Sequence, residues 1–149
     1  MIKKFKIMFV CHGNICRSPM AEFILKSRVA RAGLEEQFQI ASCATSREEI
    51  GNPVYPPAKA ELAKHGISCD EKHAVQLQKS DYDNYDLFLC MDSWNITNVM
   101  LIFRQDPDHK LQRLLPDRDV ADPWYTGRFD IAYQDIDAGC SALLKKLLK

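Results

Sequence analysis

The 149-residue sequence has no excess charge of either sign, since 20 lysines and arginines face 20 aspartates and glutamates. A chain in electrostatic balance exerts no broad pull on nucleic acid or an anionic membrane, so neither is expected as a partner. Long apolar runs are missing too, and nothing approaches the roughly 18 residues a membrane helix needs. The opening "MIKKFKIMFVCHGN" is basic, but Lys6 interrupts its apolar stretch and no small-residue cleavage site follows, so no secretory signal is expected. The six cysteines are therefore predicted to be thiols of a cytoplasmic protein rather than disulfides. They include no Cys-x-x-Cys pair of the zinc-site kind, and no metal or cofactor is expected. Repeats, low-complexity stretches and linkers are also lacking. Residues 1–149 thus read as one domain, long enough to bury roughly 68–70% of its unfolded surface.

What is present is an alternation of strands and helices. "FKIMFVC" (5–11) is short, apolar and followed at once by a glycine-containing loop, as a buried strand should be. After it Pro19 sits where a first-turn proline is tolerated, and Ala21, Ile24, Leu25, Val29 and Ala32 recur at helical spacing up to Gly33. "FQIASC" (38–43) predicts a second strand, "PPAKAELAKHG" (56–66) a helix, and "YDLFLCM" (85–91) a third strand. Asp92 is placed to cap the helix "SWNITNVMLIF", and "KLQRLL" (110–115) predicts a fourth strand at an edge. The last helix shows one apolar face through Phe129, Ala132, Tyr133, Ile136, Cys140, Leu143, Leu144, Leu147 and Leu148. The expected fold is α/β, a three-layer domain with a four-stranded parallel sheet between helices and right-handed crossovers. Ligands of such sheets bind at the carboxyl ends of the strands, where the strand order reverses.

"CHGNICRSP" (11–19) lies at the end of the first strand. A short turn into a helix aims backbone N–H groups inward and adds the helix's positive end. Gly13 suggests a backbone conformation that side chains resist, and Asn14 is among the few other residues that tolerate it. Arg17 supplies a planar fork for two oxygens of a phosphate. His12, Ile15 and Cys16 complete the loop. Together they predict a cradle for a tetrahedral dianion with Cys11 beneath it. The same field favours the thiolate, to which the Ser18 hydroxyl can donate. The competing interpretation makes Cys11 a small buried hydrophobe and Arg17 a surface charge. Glycine, asparagine, arginine, serine and proline together weigh against it, because each fits an anion loop.

A phosphomonoester also needs a proton for its leaving oxygen, and a later water needs a base; one carboxyl group can do both in turn. "LPDRDVADPWY" (115–125) offers Asp117, Asp119 and Asp122. Trp124 and Tyr125 would provide flat walls for an aryl group. Spacing alone leaves the three aspartates equal, since Asp-Pro commonly starts a turn.

"VCHGNICRSP", "GNPVYPPA", "CMDSWN" and the late "DPW" together resemble the low-molecular-weight protein tyrosine phosphatases over nearly the whole chain. The resemblance implies Cys11 as nucleophile, Arg17 as phosphate clamp, Ser18 as thiolate donor, Asn14 as a holder of loop shape and Asp122 as general acid. It further implies reversible oxidation guarded by Cys16, phosphotyrosine proteins as substrates, a tyrosine kinase as counterpart, and a monomer or weak homodimer. The chain also departs from the family pattern. Ser42-Cys43-Ala44-Thr45 stands where members often carry Ser-Ala-Gly-Thr. "KHAVQ" puts His73 out of register, as an ordinary surface residue, and Val75 where an arginine is usual. The aromatic before the second helix is absent, leaving Ile50 and Tyr55, so Tyr55, Trp124 and Tyr125 are the candidate pocket rim.

Three rivals were weighed. An arsenate reductase of this fold needs two further cysteines a few residues apart, whereas here the segment between Cys69 and Cys90 holds none. A protein arginine phosphatase of the same family carries threonine in place of Ile15. A non-catalytic phosphate-binding module is expected to lack the general acid.

Overall fold

The computed structural model describes residues 3–149. Four strands, β1 (Phe5–Cys11), β2 (Phe38–Ala44), β3 (Leu87–Cys90) and β4 (Leu111–Arg113), form one sheet in the order β2-β1-β3-β4. Every neighbouring pair is parallel. The helices are α1 (Arg17–Arg31), α2 (Pro56–Ala63), α3 (Asp81–Asn84), α4 (Ser93–Phe103), α5 (Pro123–Thr126) and α6 (Phe129–Leu147). None among the described residues is long and apolar enough to cross a membrane.

Side chains on β1 alternate between two cores. Ile7 and Phe9 enter the larger one, with Ile24 and Leu25 of α1, Leu62 of α2 and Ile136 and Cys140 of α6. Met8 and Val10 enter the other, with Val99 and Phe103 of α4. A central strand covered on both faces has no polar side to show, which is why this segment reads as a continuous apolar run. The face predicted for α6 is the buried one, although Leu148 ends outside the helix and is exposed.

Three boundaries differ from the sequence expectations. Helix α1 starts at Arg17, two residues earlier than its proline suggests, so Pro19 is the third helical residue and still lies in the first turn. Strand β3 is shorter than 85–91 because the Asp86 carboxylate, not a ladder carbonyl, accepts the Lys6 N–H at 2.8 Å. Strand β4 spans only Leu111–Arg113, since Leu114 and Leu115 turn inward to pack.

From β1 the chain passes through α1 to β2 on one side of the sheet, and then returns to β3 on the other. The loops after β1 and β3 therefore diverge and open a crevice at the carboxyl end of the sheet. Close packing on the β4 side depends on Gly139 of α6. A Cβ added there would lie 2.7 Å from Leu114 Cγ, inside contact distance. Gly139→Ala is expected to cost about 1–3 kcal/mol by overpacking, against the roughly 1 kcal/mol that alanine gains over glycine in a helix. In urea unfolding the substitution should lower stability in the native background and raise it in a Leu114→Ala background, where the clash is gone. The same effect in both backgrounds would contradict this packing.

Candidate active site

Cys11 is the last residue of β1, and five residues separate it from Arg17, the first residue of α1. The loop carbonyls are tied outward. Cys11 O accepts from Thr45 N–H at 3.0 Å, His12 O from Ser46 N–H at 3.1 Å, Ile15 O from Tyr55 N–H at 2.9 Å and Cys16 O from Met20 N–H at 3.1 Å. A trans peptide carries its N–H opposite its C=O, so the partner amides of His12, Gly13, Cys16 and Arg17 turn toward the loop centre. Helix α1 adds to them, because its N-terminus has no side-chain cap and no acidic residue in its first turn. Helix α4, by contrast, carries a full capping box between Asp92 and Asn95. The uncapped N-terminus of α1 adjoins the loop, leaving its first-turn donors for an anion.

Asn14, not Gly13, takes the left-handed conformation, with φ 60°. That corrects the sequence expectation for Gly13. A Cβ on Gly13 would meet nothing nearer than Glu49 Cγ at 3.4 Å and Ile15 Cγ1 at 3.8 Å, ordinary contacts. The Asn14 amide sits at the centre of a directed hydrogen-bond network. Its Oδ1 accepts from Val75 N–H at 3.1 Å, which fixes the orientation of the group. Its Nδ2 then donates to Ser18 Oγ at 2.7 Å and to Ser42 Oγ at 3.0 Å. Ser42 passes its own proton to Glu22 Oε1 at 2.6 Å. Ser18 Oγ accepts from Asn14 and lies 3.0 Å from Cys11 Sγ, to which its O–H can donate, with Cys43 O at 3.4 Å as the more distant alternative acceptor. The Asn14 backbone N–H reaches the same sulfur at 3.2 Å. Two donors thus converge on Cys11.

Glu22 is a buried carboxylate held by two lysines, Lys26 at 2.5 Å and Lys72 at 3.6 Å. Lys72 also donates to Ser42 O at 2.9 Å. The neighbouring His73 is exposed, as expected from its register.

The Arg17 side chain is only 4% exposed. Its Nη1 donates to Asp92 Oδ2 at 2.7 Å and Val120 O at 2.8 Å, and Nη2 to Asp122 Oδ2 at 3.4 Å. Burial by itself would depress the guanidinium pKa, but the negative charges of Cys11 and Asp122 and the Asp92 hydrogen bond raise it. Asp92 has two roles, since its Oδ1 caps α4 by accepting from Asn95 N–H at 2.7 Å. Sequence reading identified only the cap.

Of the three late aspartates, Asp122 alone lines the crevice. Its Oδ1 accepts from Trp124 N–H at 3.1 Å and so starts α5. Asp119 is committed elsewhere, to Ser93 N–H at 3.0 Å and Arg113 at 2.9 Å. Asp117 is exposed.

The cavity measures about 190 Å³, and Cys11, His12, Gly13, Ile15, Cys16, Arg17, Asp122, Trp124 and Tyr125 line it. Asn14 and Ser18 stand behind it, holding the sulfur. Tyr55 does not line it. Its ring packs 4.8 Å from that of Trp124 and 6.1 Å from that of Phe129, so it buttresses the wall. Glu48 and Glu49 do line the cavity, and sequence reading missed them. The available signal was their position in the segment where the family's usual aromatic is absent.

The remaining cysteines are all buried. Burial, then the nearby Cys11 charge, pushes the Cys16 thiol far up. Burial likewise raises Cys43, Cys69, Cys90 and Cys140.

Asn14→Asp keeps the shape and the tolerance of positive φ but removes both donors. It should cost about 1–3 kcal/mol in urea unfolding, as buried unsatisfied partners do, and lose most of the stabilisation that inorganic phosphate gives. Native stability in this variant would show that the amide's donors carry little.

With this geometry in place, the relatives of the chain can be compared. Residues 6–149 match the family model described as low molecular weight phosphotyrosine protein phosphatase. The chain is 38% identical to the low molecular weight protein-tyrosine-phosphatase YfkJ of Bacillus subtilis, with 96% of each chain covered. It is 36% identical to the low molecular weight phosphotyrosine protein phosphatase of Gallus gallus, with 94% of each covered. The crystal structure of YfkJ superposes with a TM-score of 0.94 over 98% of this chain and 96% of that one, at 36% identity. The low molecular weight protein tyrosine phosphatase SP-PTP of Streptococcus pyogenes superposes with a TM-score of 0.90 over 97% and 94%, at 37% identity. The chain belongs to the low molecular weight phosphotyrosine protein phosphatase family.

Proposed function

We propose that this protein hydrolyses phosphotyrosine in proteins, and aryl phosphates generally, through a phosphocysteine intermediate. The observation that carries this reading is the convergence of Cys11, Arg17 and Asp122 on one cavity. The phosphoryl dianion occupies the loop, held by inward amides, the α1 terminus and the Arg17 fork. Ligand oxygens take over Arg17 Nη2 from Asp122, whose contact is the longest of the three at 3.4 Å. Cys11 Sγ attacks phosphorus, an S–P bond forms, and the P–O bond to the aryl group breaks. Asp122 gives its proton to the departing phenolate oxygen. Water then attacks the phosphocysteine, Asp122 takes its proton, the S–P bond breaks and inorganic phosphate leaves. Trp124 and Tyr125 flank the aryl ring.

The geometry disfavours the rivals. Ile15 is buried and presents an apolar wall with no hydroxyl for a guanidinium. Cys69 belongs to the core on one face of the sheet and Cys90 to the core on the other, so no thiol relay joins them.

Cys16 has the role of resolving thiol in this proposal. Peroxide converts the Cys11 thiolate to sulfenic acid, and the Cys16 thiol condenses with it, forming a disulfide and releasing water. Peroxide should inactivate the enzyme, phosphate should protect it, and dithiothreitol should restore it. Cys16→Ser should lose most of that recovery, measured as activity regained after reduction. Equal recovery in both proteins would refute the guard.

The acid is tested by leaving-group chemistry. Phosphotyrosine leaves as a phenol of pKa about 10, whereas p-nitrophenol needs far less help. Asp122→Ala should lower kcat/KM, which reads the step that expels the leaving group, by on the order of 10²–10⁴-fold for phosphotyrosine and much less for p-nitrophenyl phosphate. Asp117→Ala and Asp119→Ala should show no such dependence. If either neighbour reproduced it while Asp122→Ala did not, the assignment would fall.

A further inference from the structure

The mouth of the cavity carries charge that the dephosphorylation reaction does not use. Glu48 and Glu49, on the loop after β2, both line it. Neither carboxylate swings freely. Glu48 Oε2 is paired with His12 Nε2 at 2.5 Å, and Glu49 Oε2 accepts from Asn52 Nδ2 at 2.6 Å. Glu48 nevertheless keeps 67% of its side chain exposed, so a ligand outside the cavity meets its charge. Also lining the cavity are Trp124 and Tyr125, the latter 84% exposed.

Among the described residues, the two cationic side chains that line the cavity, Arg17 and His12, are both already paired. Arg17 is buried and assigned to phosphate. Lys72 is paired with Glu22, and Arg128 with Asp130. Arg47 keeps its charge but lies outside the cavity lining, turned to the Gln76 side chain at 3.2 Å. His12, already bonded to Glu48, is the one other basic side chain in the lining among the described residues. The site is thus cationic at its floor, where the phosphate sits, and anionic with aromatic faces at its mouth, where flanking residues pass.

We infer that Glu48 and Glu49, with the exposed rings of Trp124 and Tyr125, select phosphotyrosine segments whose adjacent residues are arginine or lysine and reject acidic flanks. This rests on the phosphotyrosine reading given above. A flanking cation gains from carboxylates on the one hand and from aromatic faces on the other. A flanking carboxylate meets like charge and gains nothing from the rings.

The test compares phosphotyrosine peptides that carry Arg, Ala or Glu on both sides of the phosphotyrosine, with p-nitrophenyl phosphate as a flank-free reference. The quantity read is the ratio of kcat/KM for the Arg peptide to that for the Glu peptide within each protein, so a change in the chemical step common to all substrates cancels. Exposed charge pairs are individually weak, and together the two carboxylates should give a ratio on the order of 10 at low salt. It should fall toward unity as ionic strength rises. Glu48→Gln/Glu49→Gln should remove most of it, and Glu48→Lys/Glu49→Lys should invert it. A ratio within twofold of unity at low salt, or one that survives the glutamine double variant, would overturn the inference. If p-nitrophenyl phosphate and all three peptides were equally inert, the phosphatase reading itself would fail. Hydrolysis without discrimination would sink only the flank preference.

Discussion

A guanidinium cannot be buried without partners, because an isolated charge removed from water costs several kcal/mol even after relaxation. Arg17 is almost wholly buried, and its needs organise the site. It draws on Asp92 at the start of α4, the carbonyl of Val120 after β4, and Asp122 at the start of α5. These groups come from two strand-to-helix passages, β3 to α4 and β4 to α5, both at the carboxyl end of the sheet. Arg17 therefore ties the loop after β1 to those after β3 and β4, and holds the crevice in one shape before any ligand arrives. The cost of reorganising the site is met in folding, which is what preorganised electrostatic catalysis requires.

A second constraint runs behind the loop and concerns direction rather than charge alone. Glu22, held as a carboxylate by Lys26 and Lys72, can only accept from Ser42. Ser42 must then accept from Asn14, and Ser18, which also accepts from Asn14, has Cys11 Sγ at 3.0 Å as the nearer acceptor for its proton and Cys43 O at 3.4 Å as the farther one. The ion cluster on the α1 side of the sheet thus sets the sense of the Ser42 bonds, and Val75 N–H fixes the amide that reaches Ser18. Lys72 adds a second cation to this network. It occupies the segment "KHAVQ", where the sequence departs from its family, and it reaches both Glu22 and Ser42 O.

What could be read from the sequence was local. The β1 run, the anion loop, the Asp92 cap and the α6 face depend on residues within one or two turns of each other, and periodicity or spacing reveals them. Partners distant in the chain were not legible. Asp92 meets Arg17 across 75 positions, and nothing about a good helix cap announces a second use for its other oxygen. Tyr55 has the composition of a rim residue, but the neighbouring Trp124 turns it into a buttress. Gly13 drew the left-handed assignment by its identity, whereas Asn14 takes that conformation because its side chain has three partners to satisfy there. Glu48 and Glu49 read as solvated loop charges until the fold places them against the cavity.

The central claim is that Cys11 becomes covalently phosphorylated during turnover. In Asp122→Ala, p-nitrophenyl phosphate should still load the enzyme, because its leaving group needs little protonation, while hydrolysis lacks its base. Acid quench of that variant during turnover, followed by peptide mass spectrometry, should find phosphate on the peptide carrying Cys11, localised to its sulfur. Phosphate on another residue, or continued nitrophenol release with no covalent adduct at any time, would contradict the account.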